Sequence, residues 1–85
     1  MDEVNDAIEI GEDVEIDVLV DEDGNPLGAI IDDVVVASMP EGSVVDETID
    51  VLDADGRVIL EDEKVQVYDA DANLIAESET ITTID

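Results

Sequence analysis

The chain has 85 residues, of which 27 are Asp or Glu against one Lys and one Arg, and it contains no His and no Cys, for a formal net charge of −25. That size allows one small domain, while disulfides, thiolate chemistry and the commonest general base of enzymes are missing. Two cations cannot offset such a field on phosphates, so ordinary nucleic-acid binding is excluded as well.

In chain order, residues 1–12, "MDEVNDAIEIGE", read as an N-terminal arm ahead of a single β domain over 13–85. The arm has no positively charged start, so no signal peptide is expected, and no stretch of the chain approaches the roughly 20 apolar residues of a membrane span. Val14 to Val20 alternates strictly, with Val14, Ile16, Val18 and Val20 against Glu15 and Asp17, the period-two signal of a half-buried strand. "DEDGNP" is the turn that follows, and Leu27 to Ala37 is a second strand region, with an expected bulge at Asp32 and Asp33. "SMPEGS" is the next loop, Val44 to Leu52 the next strand, and "DADG" the next reversal. Short strands are then read at Arg57–Leu60, Val65–Tyr68 and Asn73–Ala76, separated by "EDE" and "DADA", with "ESE" leading to a threonine-rich end. The runs are rich in Val, Ile and Thr, which suit a pleated surface and disfavour helix. Hydrophobic residues reach 45%, so the chain is expected to fold despite a charge typical of disorder. The spacing predicts an all-β domain: a small antiparallel sandwich or barrel of about seven short strands linked by hairpin turns.

Three D-x-D turns recur, at Asp21, Asp53 and Asp69. A calcium loop of the type D-x-[DN]-x-[DN]-G needs oxygen ligands at its first, third and fifth positions. Aligned on Gly24, Gly56 and Ala72, the first position is Leu19, Val51 or Val67, so each copy lacks its first ligand. The turns therefore read as hairpin reversals, with Asp-Gly a favoured pair. No specific metal site and no cofactor is expected; weak cation association is expected at Asp53, Asp55, Asp69 and Asp71. Tyr68 is the only aromatic ring, and carboxylate pairs alone do not define a catalytic site in so acidic a chain, so the protein reads as non-enzymatic.

The charge itself points to a solvent. At about 0.1 M salt the Debye length is roughly 10 Å, and near 1 M about 3 Å, so molar salt removes most repulsion between surface carboxylates. Asp outnumbers Glu, Lys is nearly eliminated, and neither Phe nor Trp occurs. In these respects the composition resembles that of haloarchaeal proteins. The run "GAIIDDVVVASMP" places apolar residues on both faces of one strand, which a second layer or another subunit must cover, and oligomerisation is a common supplement in folds this small. In size, β class and composition the chain resembles the structural proteins of haloarchaeal tailed viruses, of the capsid decoration or cement type. That resemblance implies a non-enzymatic assembly role in the virion, with other virion structural proteins and copies of itself as partners, and no nucleic acid or membrane. The expected interface comprises Val34, Val35, Val36, Met39 and Pro40, with Val4, Ile8 and Ile84 on the terminal arms. The alternatives are a small halophilic intracellular binding module and an acidic DNA mimic that occupies a DNA-binding enzyme.

Overall fold

A computed structural model of the chain describes residues 8–84. Five antiparallel strands, β1 (Glu9–Val20), β2 (Pro26–Met39), β3 (Gly42–Leu52), β4 (Val58–Asp69) and β5 (Leu74–Thr83), form one open sheet in sequence order. The protein is thus all-β, as its alternation and composition imply. The described residues form five strands in one layer, rather than about seven in a sandwich or barrel. The difference lies in "EDE" and "ESE", whose charges read as loops. Glu61–Glu63 continue β4 and Glu77–Glu79 continue β5, so two pairs of short strands merge into two long ones. A carboxylate on an uncovered sheet face remains in water and gives the strand no reason to end. Likewise Asp32 and Asp33 lie in unbroken register opposite Glu15 and Val14, with no bulge. β1 begins at Glu9, so residues 9–12, read as the end of an arm, belong to the sheet.

Cross-strand partners share a face, and alternate residues along a strand change face. The register therefore sorts the side chains into two surfaces. The front face carries an apolar row running across all five strands, Ile10–Ala37–Val44–Val67–Ala76. Further along the same face lie Val14, Asp33, Thr48, Glu63 and Thr80, then Ile16, Ile31, Asp50, Glu61 and Thr82. The back face carries Asp17, Ile30, Val51, Leu60 and Thr83, then Glu15, Asp32, Ile49, Asp62 and Ile81, and it bears Lys64. Neither face is uniformly apolar.

With one layer there is no interior. Among the described residues only Gly28 is buried, and no hydrophobic side chain is. Gly28 is required by close approach: a Cβ there would collide with the Leu52 carbonyl oxygen. Side chains of the central strands are half-buried by their neighbours on the same face, whereas β1 and β5 are exposed along their whole length. Ile10 is 72% exposed and Ile16 and Val18 are each 62% exposed, all on the front of β1. The sheet is held by its hydrogen-bond ladder and by cross-strand pairs, each contributing roughly 0.2–1 kcal/mol.

Candidate functional site

The three acidic turns share one geometry. Asp21 Oδ1 accepts the N–H groups of Asp23 and Asn25, both at 2.9 Å. Asp53 Oδ1 accepts those of Asp55 and Arg57 at 2.9 and 3.0 Å, and Asp69 Oδ1 those of Asp71 and Asn73, both at 2.9 Å. In each turn the fourth residue donates its N–H to the carbonyl of the first, at 3.0 Å. That fourth residue is in the left-handed region: Gly24 and Gly56 at φ 84° and Ala72 at φ 69°. The motif is thus D-x-x-[GA]-x, a type I turn closed by a left-handed residue and stapled by the side chain of its first Asp. The Asp-Gly pair does not form the centre of a two-residue turn, as the sequence suggests; the first Asp carries the device. The N–H of Asn25, with smaller help from Asp23, the Asn25 amide and Gly24, holds the Asp21 carboxyl below the usual range, and Asn73 does the same for Asp69. Asp55 and Asp71, the third members, provide backbone donors to these staples. Among the described residues no group of three or more carboxylates is placed to hold a metal ion.

A second feature escapes a strand-by-strand reading. Five Asp side chains, Asp32, Asp33, Asp46, Asp50 and Asp62, each hold an oxygen hidden from solvent with no donor on it. Each also lies beside a Glu on a neighbouring strand: Glu47, Glu12, Glu63, Glu61 and Glu79 in turn, with Asp50 directly opposite Glu61 and the other four pairs diagonal by two residues in the register. The capacity of the paired carboxyls to share a proton, followed by the charge and burial of the same site, pushes every one of these Glu pKa values up. A proton on the Glu supplies the donor that the hidden Asp oxygen lacks. Each pair is therefore a site where uptake of one proton, as pH falls, replaces a repulsion. At Glu47 and Glu79, both on the back face, nearby Lys64 opposes the shift. Lys64 itself lies 3.6 Å from Glu77 Oε2, which also accepts from Gln66 Nε2 at 2.9 Å.

The expected interface residues do not gather on one surface. Val34 and Val36 point to the back, Val35 and Met39 to the front, and Pro40 is in the two-residue β2–β3 turn. Ile8 and Ile84 flank β1 and β5 and are about half exposed, while Val4 lies outside the described residues. Beside the front apolar row, Met39, Val44, Val67, Tyr68 and Ile75 line an open, largely apolar groove of about 230 Å³. The apolar row, the groove and the open β5 edge are surfaces that residue-by-residue reading passes over, because they exist only in the register. Compared with protein-family models, curated proteins and solved structures, the chain matches none of them.

Proposed function

We propose that this chain is a non-enzymatic assembly component of a particle formed in high salt, of the capsid decoration type in a halophilic virus. The observation that carries the assembly role is the absence of any buried hydrophobic side chain among the described residues. A single layer cannot remove its apolar surface from water, and association with another surface is the remaining route to burial. On this reading the second layer suggested by the turn spacing is made between chains. The virion setting rests on size, β class and acidic composition. In brine the carboxylate surface stays hydrated while screening permits close approach of like-charged copies.

Light scattering after size exclusion, from about 0.1 to about 3 M NaCl, tests the assembly role across the range in which screening changes most. The expected result is a folded species larger than one chain at high salt. A compact monomer at every salt concentration, with tight affinity for a nuclease or repressor, would sink the proposal in favour of mimicry. Peptide mass spectrometry of particles purified from the culture carrying this chain tests the setting separately. Absence from such particles would remove the virion while leaving assembly intact.

A further inference from the structure

The two outer edges of the sheet are guarded differently. β1 carries Glu9, Glu12, Asp13, Glu15 and Asp17, and charged side chains along an open edge discourage another strand from pairing with it. β5 carries only Glu77 and Glu79, and its last four residues, Thr80–Thr83, are uncharged and strand-prone.

The backbone of β5 is set to accept another strand. Ile84 N–H donates to the Ile59 carbonyl at 2.9 Å, extending the register in which Leu60 faces Thr83. Strand alternation then turns the backbone groups of the even-numbered residues toward β4 and leaves those of Glu77, Glu79, Ile81 and Thr83 pointing outward. The irregularity of this pair of strands lies at Val67/Tyr68, before Ala76, so the edge from Ala76 to Thr83 is regular.

Two identical strands paired antiparallel about a two-fold axis must set one residue against its own counterpart. Centring on Thr80 places Glu79 opposite Ile81, Ser78 opposite Thr82, Glu77 opposite Thr83 and Ala76 opposite Ile84. No carboxylate then directly opposes a carboxylate, and the one diagonal acidic contact within β5, Glu79 with its own counterpart, has the offset of the Glu12–Asp33 and Asp46–Glu63 pairs that the chain holds internally. The outward backbone groups of Glu79 and Ile81 bond across the axis on both sides. The same operation on β1, centred on any residue from Gly11 to Asp17, opposes at least one carboxylate to another. Among pairings of an edge with its own copy, avoidance of direct carboxylate opposition therefore favours β5.

We propose that the outer edge of β5 docks against β5 of a second copy, antiparallel about Thr80, joining two sheets into one continuous sheet of ten strands. This inference rests on the assembly reading and names one of its contacts. Because Thr80 points its backbone toward β4, it would face its counterpart as a non-hydrogen-bonded pair with Cα atoms about 4.5 Å apart, within disulfide range.

The chain has no native Cys, so Thr80→Cys tests the register directly, with Ser78→Cys as the control that does not face itself. Mild oxidation of the assembled protein is expected to link most Thr80→Cys chains into covalent pairs and few Ser78→Cys chains. Light scattering on Thr80→Asp and Thr80→Lys adds a second arm, with folding followed by circular dichroism. Each alone is expected to lower the assembled mass, and an equimolar mixture to restore it. An assembled wild type whose Thr80→Cys links no better than Ser78→Cys, and whose charge variants keep the wild-type mass, would overturn the β5 contact alone. A wild type that stays monomeric at every salt concentration would overturn both proposals.

Discussion

The three turns contain a natural exchange experiment at their fourth position, where Gly24 and Gly56 are matched by Ala72. An L-residue in the left-handed region costs roughly 1–2 kcal/mol, and glycine's greater freedom in the unfolded chain returns about 0.5–1 kcal/mol of that. Ala72→Gly is therefore expected to stabilise the fold by about 0.5–1 kcal/mol, and Gly56→Ala to destabilise it by a similar amount. Packing does not enter at Gly56 or Gly24, where a Cβ would meet nothing within 4 Å. The backbone hydrogen bonds of the turn are also common to all three copies, so the substitutions act chiefly through backbone conformation. For a domain of this size the shift in melting temperature is about 2–8 °C in each direction. The assay is thermal unfolding by circular dichroism in about 2 M NaCl, where screening is nearly complete. Protein concentration must be held constant, because association makes the midpoint concentration-dependent. A Gly56→Ala midpoint equal to wild type, or a lowered one for Ala72→Gly, would refute the left-handed assignment and the shared turn geometry with it.

The pH dependence follows from the two opposed sets of carboxyls. Glu12, Glu47, Glu61, Glu63 and Glu79 have pKa values raised above 4.5, so the folded state binds more protons and stability should rise as pH falls from neutral toward 4.5. Asp21 and Asp69 are lowered below 3.8, so the stability of their staples is present above that value and is lost as pH falls through the depressed range. A urea midpoint measured across this range should therefore peak on the acid side, between the two ordinary values; a steady decline from neutral pH would contradict it. Asp50→Asn places an amide donor opposite Glu61, where only a shared proton now serves. It should raise the urea midpoint at neutral pH and lose its advantage in acid, whereas Asp17→Asn, at the sheet edge opposite Ile30, should show no such pH-dependent gain.

The sequence alternation located each strand but not its ends. Val14–Val20 and Val44–Leu52 fall within β1 and β3, because one side chain in two is apolar there and the flanking Asp-Gly clusters mark the turns. Glu61–Glu63 and Glu77–Glu79 were opaque, because a run of carboxylates looks the same in a solvated loop as on an uncovered face. Counting strands by turn spacing presupposed a closed core, and the single layer removes that premise. The turns were half legible: the missing first calcium ligand was visible, but the pairing of the first Asp with a left-handed fourth residue needed coordinates. The five carboxyl pairs needed more still, since Asp33 and Glu12 are 21 residues apart in sequence and meet only through the β1–β2 register.

The meander order has a consequence for how this sheet comes apart and how it could grow. Strand pairing runs between sequence neighbours, β1 on β2 through to β4 on β5, and these pairs carry the extensive strand contacts. Stability in such a chain approximates a sum of hairpin strengths and neighbour interfaces, as in a linear repeat array. Loss of an outer strand need not dismantle the middle, so opening should begin at the β1 and β5 margins and move inward, with hydrogen-exchange protection greatest in β3. By the same logic, a further hairpin closed by a D-x-x-G-x turn could be appended at a margin without disturbing the register of the strands already paired. The repeated turn would then act as a unit of length, allowing the sheet to widen by whole hairpins.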